Sequence, residues 1–257
     1  MKKLLLLCSL FIFACSSDDS SNTNDDNDNN NELLNCDGNP VPTIVYGTQE
    51  WTVENACHIT YRDGTPIPQV TYANDWPSLT TGAWCYYDND PTKPILYNWY
   101  AVMGIHDTDP NTPNKEFAPE GWHVPTNAEW TTLEEYLIAN GYNYDGTTTE
   151  NKIAKAMASA VGWNSIPPGW NGSTNQGAIG NDQSSNNSSG FNALPVGNRN
   201  YNGSFINEGY GTFFWSSSSE FTNYPWHSGL YYNSSLLARN DANIDLHYGF
   251  SVRFVRD

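Results

Sequence analysis

The chain has 257 residues, with 28 acidic against 11 basic side chains and a formal net charge of −17 at pH 7. So acidic a chain repels phosphate backbones, which argues against nucleic acid as a partner and leaves neutral glycans or cations as tolerated ligands. Aromatic residues make up 14% of the chain beside 20 glycines and 15 prolines, so sparse regular structure and a core of rings packed between long loops are expected.

Lys2 and Lys3 open the chain, and the apolar run "LLLLCSLFIFA" that follows, 11 residues long, is too short to span a bilayer as a helix. Ala14 before Cys15 resembles a lipoprotein signal: residues 1–14 are expected to be removed and Cys15 to become the lipidated first residue. The match departs from the usual pattern at Ile12, where leucine is common, and an ordinary secretory signal is the alternative. Residues 15–35 are expected to form a disordered tether. They carry six acids (Asp18, Asp19, Asp25, Asp26, Asp28 and Glu32), and between residues 16 and 32 there is nothing apolar or basic. Such a segment has nothing to bury against its chain entropy. Ser17-Asp18-Asp19 also resembles the acidic signal that sends Bacteroidota lipoproteins to the outer face of the outer membrane. A lipid-anchored, surface-exposed protein is the expectation.

Setting aside Lys2, Lys3 and the six acids of the tail leaves 22 acidic and nine basic residues, a net charge of −13, and all ten tryptophans lie after residue 50. No internal repeat or linker divides this body, which reads as one domain over residues 36–257. Three cysteines fall within it, Cys36, Cys57 and Cys85, so at most one disulfide forms. Cys36–Cys57 is favoured, closing an N-terminal hairpin and leaving Cys85 as a buried thiol, although spacing leaves the other pairings open.

Along the body, "TIVYGTQEWTVENA" predicts a hairpin around Gly47-Thr48, and Asp63-Gly64 marks a turn. "GAWCYYDNDP" and "LYNWYAVMG" read as buried extended segments. "PTNAEWTTLEEYLIANG" predicts a helix opened by a Thr126–Glu129 capping box and stopped at Asn140-Gly141, with Trp130, Leu133 and Leu137 inward and Glu134 and Glu135 on the solvated side. A second helix is expected over "ENKIAKAMASAVG", with Ile153, Met157, Ala160 and Val161 inward. Residues 162–190, almost all Gly, Asn, Ser and Pro, form a long loop and the expected place for a binding surface. "FNALPVGNRNY", "TFFWSSSSE" and "HYGFSVRFVRD" follow as extended pieces; in the last, Phe250, Val252 and Phe254 alternate with Ser251, Arg253 and Val255, as in a strand with one buried face.

The blocks "IVYGTQEWTVEN", "GAWCYYDNDP", "LYNWYAV", "APEGWHVPTNAEWTTLEEYL", "GFNALPVGNRNYNGSF", "FFWSSSSE" and "YGFSVRFVRD" occur in this order. Together they resemble the Fibrobacter succinogenes major paralogous domain over roughly residues 40–257. That family is similar in fold to the formylglycine-generating enzyme and, more remotely, to C-type lectins. The resemblance implies an α+β domain of two helices with short, twisted antiparallel strands and many irregular loops. The family usually has cysteine where this chain has Phe254, which implies a lost partner of Cys85 whose space Phe254 fills. Cys57 replaces a residue that is more often apolar, which suggests a replacement bridge to Cys36.

The candidate chemistry is thin. Ser216 to Ser219 follow an aromatic run, with Trp215 and Glu220 as flanks and no Gly-x-Ser-x-Gly elbow, so they read as a strand end whose hydroxyls satisfy backbone groups. The formylglycine-generating enzyme works through a late pair of copper-binding cysteines, and no cysteine follows Cys85 here. "DTDPN" supplies Asp107, Asp109 and Asn111 as weak calcium ligands, but Thr112 and Ala118 stand where an EF-hand needs glycine and a closing acid. No cofactor is expected beyond structural calcium. His123 reads as a hydrogen-bonded structural residue. Trp170 with Asn171, in "PPGWNGSTNQG", and Trp226 with His227, in "NYPWHSG", are the candidates for stacking on sugar rings. The reading is a non-catalytic, lectin-like surface lipoprotein that binds or adheres, with extracellular polysaccharide as the candidate ligand. An enzyme acting on glycans, a cofactor-free relative of the sulfatase-modifying enzymes, and a structural coat protein are the alternatives.

Overall fold

The computed structural model describes residues 33–219, 224–240 and 244–257. The expected signal, Cys15 and its lipid, Ser17-Asp18-Asp19, the tether before residue 33, and Glu220 lie outside the described residues. The described residues form one compact unit. No described helix is long and apolar enough to cross a membrane.

The expected hairpin is β1 (Thr43–Tyr46) and β2 (Gln49–Thr52), turning at Gly47, whose φ of 63° suits glycine. β3 (Trp84–Tyr86) and β4 (Ile95–Tyr97) pair antiparallel. "LYNWYAVMG" is only half extended, because Asn98 ends β4 and caps α1 (Trp99–Val102), its side-chain oxygen accepting the Ala101 N–H at 3.0 Å. β5 (Trp122–His123) leads into α2 (Asn127–Ala139), where the Thr126–Glu129 capping box forms and Trp130, Leu133 and Leu137 are fully buried.

The second helix is a correction. Only one turn, α3 (Ala154–Met157), is helical. Ala158 leaves the helix extended and bridges Ala193, with the Ser159 N–H donating to the Ala193 carbonyl at 2.9 Å. The backbone bonds that a longer helix would have kept local go across the fold instead, so Ala160 and Val161 face solvent rather than the core. Glu134 is likewise not simply solvated. It is half-buried, accepts from Asn151 at 3.0 Å and faces Arg239, and burial pushes its carboxyl up from the usual carboxylate range.

The remaining strands are β6 (Val196–Arg199), β7 (Phe205–Glu208), β8 (Gly211–Ser219), β9 (Pro225–Tyr231), β10 (Ala238–Asn240) and β11 (Val255–Arg256). They complete a four-stranded sheet of order β1-β2-β11-β5 and a five-stranded one of order β10-β9-β8-β6-β7. Strand pairs are antiparallel except β6 with β8. The result is an α+β domain.

Residues 249–255 join these layers. Phe250 exchanges backbone bonds with Tyr97, Ser251 with Phe213 and Trp215, and Phe254 accepts from Thr52. The one-sided strand expected here is therefore buried on both faces: Ser251, Arg253 and Val255 are as inaccessible as Phe250, Val252 and Phe254.

The core is aromatic, as the composition implies. Trp51 meets Trp130 edge-on at 4.8 Å, and Trp215 packs on Phe250 at 4.4 Å. Buried ring polar groups find backbone carbonyls: Trp84 Nε1 donates to Ile67 at 2.8 Å, Trp215 Nε1 to Tyr97 at 2.7 Å, and the Tyr46 hydroxyl to Ser189 at 3.1 Å. Two arginines are buried among the rings without a carboxylate. Arg199 lies 4.2 Å over Trp76 and donates to the carbonyls of Gly203, Val70 and Thr71. Arg253 lies 4.7 Å over Phe191 and donates to Asn55 Oδ1 at 2.6 Å and to the carbonyls of Thr52, Phe191 and Asn192.

Cys36 and Cys57 are disulfide-bonded, and Cys85 is a buried free thiol. Phe254 does not fill a space beside Cys85. It stacks on His58 next to Cys57, whereas Cys85 lies among Trp76 and Leu96 under the Arg199 guanidinium, and burial pushes its thiol up to about 11. Thiol titration of a chain starting at residue 31 should count one free thiol, and only after denaturation; two or more would break the assigned pairing. Arg253→Met should lower stability by about 3 kcal/mol or more, because two buried and two half-buried acceptors lose a charged donor, as read from denaturant unfolding.

Candidate functional site

The two candidate tryptophans, Trp170 and Trp226, lie in separate parts of the fold. Trp170 is 61% exposed in a tight turn, where its N–H donates to the Pro167 carbonyl and its carbonyl accepts from Ser173 at 3.0 Å. Asn171 beside it is exposed. Gly172 then presses on Asn233, just beyond the end of β9: a Cβ there would stand 2.5 Å from the Asn233 carbonyl oxygen. Trp226 sits at the opposite end of β9, seven residues away, a separation on the order of 20 Å in an extended strand. Trp226 is half-buried, and His227 points to the other face of the sheet, 4% exposed against Phe250 and Phe213. A ligand can reach Trp170 and Asn171, but not His227.

A different constellation forms beside Trp170. A cleft of about 520 Å³ opens between the segment after α2, the turn of α3, and the long loop. Tyr142 and Tyr144 line one side; Ser173, Thr174, Gln176, Asp182, Ser185 and Ser188 line the other. Tyr144 is 40% exposed, and its ring packs against Gly177, where a Cβ would come within 2.1 Å of the ring. Only glycine admits the ring at that depth. The Asn143 amide fixes the tyrosine segment by donating to the carbonyls of Thr147, Thr149 and Glu150, while its oxygen accepts from the Lys152 N–H at 2.9 Å.

On the loop side, Asn181 Nδ2 donates to the carbonyls of Gly172 at 2.9 Å and Asn175 at 2.8 Å. Asn186, 8% exposed, donates to those of Ser159 and Ile179. Lys155 closes the floor. The cleft therefore brings tyrosine rings together with hydroxyls, an amide and one carboxylate, on backbone held by internal bonds.

The loop over residues 162–190, the expected place for a binding surface, builds one wall of this cleft. Sequence reading missed Tyr142, Tyr144 and Lys155. The last had a visible signal, a single cation inside the apolar stretch "IAKAMASA".

Other polar groups that looked reactive are occupied. Ser217 donates to the Val124 carbonyl at 2.9 Å, Ser218 Oγ accepts the Asn127 N–H at 2.9 Å, and Ser216 Oγ accepts the Ser218 N–H at 3.1 Å. Asp107 and Asp109 turn their oxygens onto the backbone N–H groups of Asp109 and Asn111, at 2.9 and 3.0 Å, in exposed Asx turns. Among the described residues no three His, Cys, Asp or Glu converge as metal ligands.

His123 lies between two carboxylates, Glu129 at 2.6 Å and Asp257 at 2.7 Å, with Glu129 also serving the helix cap. Burial lowers its pKa, but the two hydrogen-bonded carboxylates outweigh that and the net shift is upward. His58 is the opposite case: burial among Phe117, Tyr97 and Phe254 drives it down to about 4, and a hydrogen bond to the Phe117 backbone restores only part.

A family model for the Fibrobacter succinogenes major domain matches residues 44–256. The chain belongs to this family. The match spans every element from β1 to β11, so in this Fibrobacter succinogenes major domain the tyrosine cleft, the buried arginines and the serine-ended strand all fall inside the shared unit. No curated protein and no solved structure matches the chain.

The two histidines give the domain opposed pH dependences. With its pKa raised on folding, His123 contributes stability that is full below about 6.5 and fades as pH rises through its elevated value. With its pKa lowered on folding, His58 contributes stability that is full above about 6.5 and is lost as pH falls toward about 4. Unfolding midpoints from pH 4 to 9 should therefore show a shallower acid limb in His58→Phe and a shallower alkaline limb in His123→Gln. Unchanged limbs would assign the dependence to other groups.

Proposed function

We propose that this domain is a non-catalytic, lectin-like binding module of a cell-surface lipoprotein, and that the cleft takes a neutral, hydroxyl-rich ligand such as a polysaccharide segment. The observation that carries the reading is the partly exposed Tyr144 ring set against Gly177 in a cleft also lined by Thr174, Gln176 and Ser188. An aromatic face stacks on the apolar face of a sugar ring, while hydroxyls and an amide meet the ring's own hydroxyls. Trp170, three residues before the cleft-lining Ser173 and bonded to it through the backbone, adds a ring at the rim.

Several further features support the reading. The body's net negative charge disfavours polyanions. The paired wall segments are fixed by buried amides before any ligand arrives, which lowers the ordering cost of binding. The expected lipid at Cys15 and the acidic stretch after it would hold such a module away from an outer membrane, facing outward. The C-type-lectin-like assignment of the fold and the absence of catalysis belong to this proposal. So does calcium, for which Asp107, Asp109 and Asn111 are weak candidates because their turns already engage the carboxylates.

A glycan array probed with the native protein should give saturable hits. Tyr144→Ala and Gly177→Val should each weaken them about tenfold or more, equivalent to about 1.4 kcal/mol, and Trp170→Ala should weaken them less. Silence across a broad array, or turnover of a polysaccharide that depends on one acid, would replace the reading with a structural or an enzymatic one.

A further inference from the structure

The floor of the cleft holds a cation that the binding reading leaves unexplained. Lys155 is 5% exposed, on the single turn of α3. Its ammonium donates to the carbonyls of Ala178 at 3.4 Å, Asn181, and Asp182 at 3.0 Å, and to Asn186 Oδ1 at 3.3 Å. All four acceptors are neutral oxygens. The Asp182 carboxylate is exposed and accepts from Ser184 at 2.5 Å; it attracts the ammonium through space without a hydrogen bond to it. Three of the acceptors come from one five-residue stretch, 178–182, whose main chain wraps the charge.

Main-chain and amide oxygens converging from one loop on a point charge form the kind of ligand set used for hard cations. An ammonium is a compact point charge with three donors, so it can serve as the centre of such a cage. The loop organised around it carries Asp182 and Ser185 directly. Asn181, whose carbonyl it holds, fixes the stretch bearing Ser173 and Thr174 through the carbonyls of Gly172 and Asn175. Asn186, whose side-chain oxygen it holds, donates to the carbonyls of Ser159 and Ile179 and so ties the 178–186 loop to the chain after α3. Every residue on the loop wall is thus at most a few residues from a group that the ammonium or its two amide partners fix.

We propose that Lys155 is a built-in cation: a positioning residue whose ammonium closes the 178–186 loop and forms the cleft wall, the task a bound metal ion performs in other binding loops. The consequence for ligand binding rests on the glycan reading; loop closure does not. Binding through this cleft is then independent of divalent cations. The loop depends on the charge at the end of the side chain rather than on its apolar stem.

The test separates charge, stem and ligand. In the native protein, EDTA should change neither glycan binding nor amide-exchange protection over 178–186. Lys155→Met keeps the stem and removes the charge; it should melt earlier, lose amide-exchange protection over 178–186, and lose about tenfold or more in glycan binding. Lys155→Ala should fall further, but removing the propylammonium portion of the side chain leaves a matching space. Millimolar n-propylammonium should then raise its melting temperature by about 3 °C or more and restore protection over 178–186. It should do neither for Lys155→Met, and tetramethylammonium should do neither for any form. If Lys155→Ala is too unstable to purify, its refolding yield with and without n-propylammonium reads the same rescue. A Lys155→Met protein with native melting and protection would overturn the proposal, as would a Lys155→Ala protein that n-propylammonium leaves unchanged. Rescue in a protein that binds no glycan would remove the ligand and leave the built-in cation in place.

Discussion

Two guanidinium groups in the core, each solvated by main-chain carbonyls and faced by aromatic rings, are the constraint on which the rest of this fold depends. Removing a cation from water costs several kcal/mol, which only excellent geometry and multiple hydrogen bonds offset. Arg253 meets that condition with four acceptors drawn from β2, the turn at Asn55 and the 191–192 segment, and with the faces of Phe191 and Phe214. Burial still lowers its pKa to about 9, so it stays charged at neutral pH. Arg199 gathers Val70, Thr71 and Gly203 in the same way beneath Trp76 and Phe205. Each ties together segments distant in sequence, and loop carbonyls that no sheet ladder uses become the partners that make its burial tolerable.

The same solution recurs with amides and with one ammonium. Asn98 accepts from Ala83 and Ala101 and donates to Thr81, locking the β3–β4 pair to α1. Asn143, Asn181 and Asn186 do this for the two walls of the cleft, and Lys155 for its floor. A chain poor in long helices and strands thereby gains rigidity from side chains that replace secondary-structure hydrogen bonding. That rigidity bears on binding. A loop of Gly, Asn and Ser would lose much entropy on meeting a ligand if it were free, and here the ordering is done in the folding step.

The groups that looked most reactive spend their polarity on structure. The serines after Trp215 bond the backbone around β5 and the start of α2, and His123 joins the C-terminal Asp257 to the helix cap. What remains open to a ligand is a shallow arrangement of tyrosine rings, hydroxyls and amides, which suits recognition by stacking and hydrogen bonding. The exposed Trp170 extends it; Trp226 belongs to a distant part of the sheet.

The sequence by itself determined the local and compositional features. The β1–β2 turn, the Thr126–Glu129 cap with its Trp130–Leu133–Leu137 face and the aromatic core were legible because each follows from neighbouring residues or from residue type; Cys36–Cys57 was favoured among three pairings that spacing left open, and the fold decided it. The tertiary structure decided whatever depends on partners far along the chain. It ended the second helix at Met157, because Met157 and Ser159 bond to Ala193 across the fold. It buried both faces of residues 249–255, because strands from three sheets meet there. It separated Trp170 from Trp226 by the length of β9, and brought Tyr144 to Gly177 and Lys155 to Ala178, Asn181, Asp182 and Asn186. In a loop-rich domain periodicity carries little of the long-range pairing; the hydrogen-bond partners of buried polar groups carry it, and these become known only once the chain is folded.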